Sequence, residues 1–126
     1  MTDADLLTRI REIVGNPYVL TGKRATERFR TGFRSGQGEA LCVVQPGTLM
    51  EQWQVLQACV AADKIVIMQA ANTGLTEGST PSGTYDRDVV LINTRRMDTL
   101  VPLHDGKQVI SFPGATLFAL EKLLAP

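Results

Sequence analysis

The stretch Ala40-Leu41-Cys42-Val43-Val44-Gln45-Pro46-Gly47-Thr48-Leu49-Met50-Glu51 decides how this chain is read. Ala40 to Gln45 is a largely apolar run bounded by turn residues, the pattern of a strand covered on both faces. Pro46-Gly47 is a turn, and Thr48 with Glu51 three residues later makes a capping box, so a helix starts there. Trp53, Leu56 and Val60, with Cys59 beside them, line the expected inner face of that helix, and Asp63-Lys64 closes it. Ile65-Val66-Ile67-Met68 then reads as a second buried strand, and Asp88 to Asn93 as a third, apolar throughout Val89-Val90-Leu91-Ile92. A strand, a helix and a second strand imply a right-handed crossover and a parallel pair. The expected fold class is therefore α/β (or α+β), a small, mostly parallel sheet flanked by helices.

Towards the N-terminus, Leu6, Leu7, Ile10, Ile13 and Val14 recur at helical spacing, which predicts an amphipathic helix over residues 3–14. Thr2 and Asp5 form its cap, and Gly15 followed by Asn16-Pro17 stops it. Residues 23–30 predict a short second helix, followed by an irregular basic segment, Gly32-Phe33-Arg34-Ser35-Gly36-Gln37-Gly38. Towards the C-terminus, Gln108 to Phe112 reads as a strand and Pro113-Gly114 as a turn. Thr116 caps a helix carrying Leu117, Leu120, Leu123 and Leu124. The whole, residues 1–126, reads as one domain.

Composition narrows the function. The 126 residues carry 13 basic and 13 acidic side chains, a formal net charge of zero. That balance argues against a dedicated nucleic-acid binder, whose affinity would come from excess positive charge. Two cysteines, Cys42 and Cys59, lie in apolar surroundings without C-x-x-C spacing, which predicts free buried thiols in a reducing compartment. With one histidine and no cysteine pair, no metal site is expected. No apolar run is long enough to span a bilayer, and the acidic start Met1-Thr2-Asp3-Ala4-Asp5 lacks the pattern of a signal peptide.

The loop Gln69-Ala70-Ala71-Asn72-Thr73-Gly74-Leu75-Thr76-Glu77-Gly78-Ser79-Thr80-Pro81-Ser82-Gly83 follows the second strand directly. Ligands of open α/β sheets bind beyond the carboxyl ends of strands. Gly74 and Gly78 are expected to allow positive φ and close approach, and successive N–H groups in such turns form a nest for phosphate oxygens. Asn72, Thr73, Thr76, Ser79 and Thr80 add uncharged donors. The loop matches neither the Gly-Lys-Ser/Thr phosphate loop nor G-x-G-x-x-G. On residues alone, a phosphate cradle and a plain surface loop stand level.

Beyond that point the sequence resembles a known family. Met68 to Pro81, with Tyr85-Asp86-Arg87-Asp88-Val89-Val90 after it, is similar to the bacterial quinone-dependent D-lactate dehydrogenases, flavoproteins of the vanillyl-alcohol-oxidase type. Gly32 to Gly38 and Ala58-Cys59-Val60-Ala61-Ala62-Asp63-Lys64-Ile65 resemble them too. The resemblance implies the first subdomain of an FAD-binding domain. Ala70, Ala71, Asn72, Thr73, Gly74, Gly78 and Ser79 would contact the FAD pyrophosphate. It also implies that the remainder of such a flavoenzyme, with a second FAD subdomain, a substrate cap and a basic membrane-docking surface, lies outside these residues. No catalytic residue is therefore assigned within them, and the chain alone is expected to be inactive. A complete enzyme of this family would oxidise D-lactate to pyruvate and pass electrons to a quinone. It would sit in the cytoplasm, peripherally on the cytoplasmic face of the inner membrane, with no direct insertion by this chain. The segment between Pro81 and Tyr85 is slightly shorter than the family pattern.

The other reading is a stand-alone nucleotide- or phosphate-binding module without catalysis. It predicts no exposed apolar face, whereas an FAD subdomain predicts one around Leu117 to Leu124. Single residues have plain readings beside these. His104, in the turn Leu103-His104-Asp105-Gly106, reads as surface, and Trp53 as core. Lys23, Arg24, Arg28, Arg30 and Arg34 read as a solvated face, the alternative being contact with a phosphate or an acidic surface. Asp86 and Asp88 flank Arg87, which favours ion pairing over metal binding.

Overall fold

The computed structural model describes residues 1–126. Helix α1 (Asp3–Val14) begins with a reciprocal cap. The Asp5 amide donates to the Thr2 hydroxyl at 3.1 Å, and the Thr2 amide donates to the Asp5 carboxylate at 3.0 Å. These bonds hold the Asp5 carboxyl below its ordinary pKa. Leu6, Ile10 and Val14 point from one stripe into the core, each stabilising the fold by about 1.5–3 kcal/mol through burial. Gly15, at φ 94°, ends the helix and returns its N–H to the Arg11 carbonyl at 2.8 Å.

After a 3-10 turn at Asn16–Tyr18, the chain forms strand β1 (Val19–Leu20), helix α2 (Lys23–Arg30), strand β2 (Cys42–Val44), helix α3 (Leu49–Ala61), and strands β3 (Ile65–Gln69) and β4 (Val89–Asn93). The sheet order is β1-β2-β4-β3. Strand β4 pairs in parallel with both neighbours, Val43 opposite Leu91 on one side and Ile67 opposite Leu91 on the other. The α/β, mostly parallel sheet is as expected. Three details differ. The β2–α3–β3 crossover skips a place, because β4 inserts between the two strands. The short β1, antiparallel to β2, carried no pattern long enough to recognise. Finally, β3 is an edge strand with Met68 43% exposed, whereas β4 is buried at every position.

The two faces of the sheet hold separate cores. Cys42, Val44, Val90 and Ile92 pack with Leu6 and Ile10 of α1 and with Val55, Ala58 and Cys59 of α3. On the other face Val43 and Leu91 meet Phe29 of α2. Helix α3 corrects the expected inner face. Its buried residues are Val55, Ala58 and Cys59, while Trp53, Leu56 and Val60 face outward, Trp53 being 54% exposed. Both sets have helical spacing, and only the position of the sheet chooses between them. The α3 cap is also shifted: the Glu51 amide donates to the Thr48 hydroxyl at 3.1 Å, but the Glu51 carboxylate accepts from the Gly47 N–H, one residue earlier than in a strict box.

Beyond β4 the chain leaves this sheet. Strands β5 (Leu100–Leu103) and β6 (Gln108–Ser111) form an antiparallel hairpin of their own, and helix α4 (Leu117–Leu124) follows. His104 and Asp105 sit at the hairpin tip with φ of 51° and 56°, and His104 is exposed as expected. Helix α4 has no buried residue, and Leu117 and Phe118 are 71% and 76% exposed.

Candidate functional site at the ends of β3 and β4

A cleft of about 640 Å³ opens where β3 and β4 end. Its floor is Gln69 to Asn72, which leaves β3, and Asn93, which ends β4. One wall comes from the end of α2 and the following segment (Arg28, Phe29, Thr31, Phe33). The other comes from Arg95 and the turn into α4, Pro113 to Leu117. Two arginines line it and no carboxylate does. Size and lining fall within the range of small-molecule sites.

A buried polar network holds these walls together. Gln69, 2% exposed, donates through Nε2 to the Phe29 carbonyl at 2.7 Å and the Ser79 carbonyl at 2.9 Å. Its Oε1 accepts from Asn93 Nδ2 at 3.0 Å, and Asn93 Oδ1 accepts from the Arg95 amide at 3.1 Å. The Thr94 hydroxyl donates to the Pro113 carbonyl at 3.1 Å, tying β4 to the turn before α4. Asn72 Nδ2 donates to the Thr31 carbonyl at 2.8 Å, while its Oδ1 accepts the hydroxyls of Ser79 and Thr80 at 3.0 and 3.2 Å. Gln69, Asn93 and Thr94 are buried and satisfied in this way, which favours a rigid frame, while the Asn72–Thr31 bond lies at the surface.

Within that frame the loop's amides stay free. No backbone N–H from Ala71 to Ser79 donates to a protein acceptor. The glycines do not serve as expected, however. Gly74 and Gly78 both lie outside the positive-φ region, and the left-handed positions of the loop are Asn72 at 56° and Glu77 at 62°. At Gly74 an added Cβ would meet no heavy atom within 4 Å. The fold itself therefore makes no steric demand for glycine there. Glu77 lies against Gly36, and the hydroxyls of Ser35 and then Ser82 hold its carboxyl below the ordinary range.

Of the residues singled out from sequence, Ala70, Ala71 and Asn72 line the cleft. Thr73, Gly74 and Gly78 lie further along the exposed loop, and Ser79 is half-buried with its hydroxyl on Asn72. The basic stretch divides. Lys23, Arg24 and Arg34 are exposed. Arg28 lines the cleft and stacks on the Phe29 ring, 4.6 Å from its centre. Arg30 departs from the solvated reading: it is half-buried, donating to the Thr26 hydroxyl and to the Gly38 and Lys23 carbonyls at 2.8–2.9 Å. Arg87 pairs with Asp86 and, more closely, with Asp63 at 2.7 Å, whereas Asp88 pairs with Lys64 at 3.1 Å. No cluster of three metal-ligating side chains forms, and no helix is long and apolar enough to cross a membrane.

Sequence reasoning missed Asn93, Arg95 and the Pro113–Leu117 wall as parts of the site. The available clue was that polar residues ending an apolar strand stand at the carboxyl edge of the sheet, where ligands bind.

No family model matches the chain. Along its whole length the chain is similar to the quinone-dependent D-lactate dehydrogenases. It is 58% identical to that of Escherichia coli (strain K12), of which it covers 23%, and 50% identical to that of Haemophilus influenzae, of which it covers 22%. Over 98% of its length it is 44% identical to the Corynebacterium glutamicum protein, again covering 22% of it. The chain thus spans less than a quarter of each relative. Among solved structures, an alkyldihydroxyacetonephosphate synthase superposes with a TM-score of 0.84 at 16% identity, over 98% of this chain and 25% of that one. A 4-ethylphenol oxidase from Gulosibacter chungangensis gives 0.81 at 17% identity, over 96% of this chain and 24% of that one. Likeness at that identity shows the fold, a small mostly parallel sheet with flanking helices.

Proposed function

We propose that this chain is the FAD-gripping part of a respiratory D-lactate dehydrogenase that oxidises D-lactate to pyruvate and delivers electrons to quinone. The observation that carries this reading is the cleft at the ends of β3 and β4, lined by two arginines and no carboxylate, from which a loop with free amides runs on through residues 73–79. Those features suit a dianionic pyrophosphate, which takes hydrogen bonds from a nest of N–H groups without needing a metal partner. The residues fit the cofactor on two counts: unpaired donors run from Ala71 to Ser79, and Gly74 leaves open space for close approach. Ala70, Ala71, Asn72, Thr73, Gly74, Gly78 and Ser79 would hold or shape the pyrophosphate site, with Arg28 and Arg95 adding positive potential from the walls.

When bound, FAD supplies the oxidising group, accepting a hydride equivalent from the substrate. This chain's own part is binding and orientation. No residue here is assigned to proton transfer from lactate, so the isolated chain binds but does not turn over. The exposed Leu117 and Phe118 of α4 weigh against a self-sufficient nucleotide module, which would cover such side chains. Calorimetric titration of the chain with FAD tests the reading, with Gly74→Val as control. Saturable binding that Gly74→Val weakens at least tenfold, with the thermal midpoint unchanged, supports it. Absence of binding at millimolar FAD would remove it.

A further inference from the structure

We infer that the Asn72 side chain is a positioning group, the pin that holds the anion cradle open, rather than a ligand of the anion. The inference rests on the reading of the loop as a cradle and concerns how that loop keeps its shape.

The free amides lie between residues 71 and 79. Asn72 stands near the start of that run and Ser79 and Thr80 at its end, and the Asn72 carbonyl oxygen accepts both of their hydroxyls. One side chain therefore closes the run onto itself. The Asn72 side-chain Nδ2 then fastens the closed run to the Thr31 carbonyl, 41 residues earlier in the chain, on the wall that follows α2. A carboxamide has two lone pairs and two N–H donors to use. Both lone pairs and one donor are committed to the protein, leaving a single N–H for anything else.

The backbone adds a second reason. Asn72 sits at φ 56°, a left-handed conformation that asparagine tolerates better than other residues with a Cβ. Glycine would accept the angle but has no side chain to make the bonds. Aspartate would keep both acceptor positions and lose the donor to Thr31. Thr80, which supplies one of the hydroxyls, is 3% exposed, so that end of the pin is anchored in packed protein.

The three side chains predict different outcomes in the 126-residue chain, read two ways. Without ligand, backbone ¹⁵N order parameters report the loop. With ligand, calorimetry reports FAD affinity. In Asn72→Gly, order parameters over residues 73–79 are expected to fall below about 0.6, the flexible range, and FAD binding to weaken tenfold or more. In Asn72→Asp the loop is expected to stay more ordered than in Asn72→Gly, because the hydroxyl bonds survive. The inference is overturned if Asn72→Gly leaves the ligand-free loop as rigid as wild type, whatever happens to affinity. Lost affinity with an unchanged loop would make Asn72 a direct ligand. Should wild type not bind FAD, the cofactor reading fails on its own while the ligand-free loop still decides the role of Asn72.

Discussion

Trp53 stands on a well-formed helix and yet faces water, so its side chain contributes little to folding. Trp53→Ala is expected to change stability by only about 0.5 kcal/mol, as for other surface sites, whereas Ile10→Ala, fully buried, should cost about 2–5 kcal/mol. Urea denaturation of the two variants checks the contrast, and a large loss at Trp53 would mean that the outward face of α3 is covered. The two thiols behave as core residues. Burial pushes Cys42 up to about 12, with Cys59 nearby adding to the effect, and burial pushes Cys59 up to about 11. A raised thiol pKa means that the folded chain keeps its proton where the unfolded chain, titrating near 9.0, has lost it. Stability is therefore intact below pH 9 and falls as pH rises from there towards 11–12. Denaturation midpoints measured between pH 8 and 11 should decline over that span. Thiol reagents at neutral pH should label neither cysteine until the chain unfolds.

At the scale of elements, the weak joint is the passage from the main sheet to the hairpin and α4. Gly114 threads past β4 so closely that an added Cβ would lie 2.1 Å from the Thr94 carbonyl oxygen and 2.8 Å from that of Arg95. Both are backbone atoms and cannot swing aside. Gly114→Ala should therefore destabilise the chain by about 1–3 kcal/mol, the usual cost of overpacking, and displace one wall of the cleft. A lowered thermal midpoint together with weakened FAD binding is the expected result. An unaltered midpoint would show that the α4 unit is not tied down by this passage. The caps of α1 and α3 are more forgiving, since each rests on a side chain that water can partly replace: Thr48→Ala should cost about 1 kcal/mol.

For the whole molecule, the exposed faces differ in kind from the cleft. Helix α4 presents Leu117, Phe118, Leu123 and Leu124 to solvent, and relatives at 44–58% identity are over four times as long. Replacing Leu117 and Phe118 by serine should leave the thermal midpoint unchanged and reduce self-association at high concentration, followed by light scattering. A substantial drop in the midpoint would show that α4 is packed more firmly than its exposure indicates.

Much of this was legible in the residues. Thr2 with Asp5, Gly15, and Thr48 with Glu51 marked helix ends because caps are local chemistry, complete within four residues. The apolar runs at Val43, Ile67 and Leu91 marked strands, and the long polar loop after β3 pointed to the sheet edge where the cleft opens, because ligands gather where such strands end. What the sequence did not contain was the relation between distant segments. It could not say that β4 inserts between β2 and β3, which makes β3 an edge and leaves Met68 in water. Nor could it choose between the two apolar stripes of α3, both of correct period, since only the sheet beneath decides which is covered. The same holds for Asn72, Gln69 and Asn93. Their types suggested polar contacts, but their partners lie 24 to 41 residues away, and hydrogen bonds of that reach exist only once packing has brought the segments together.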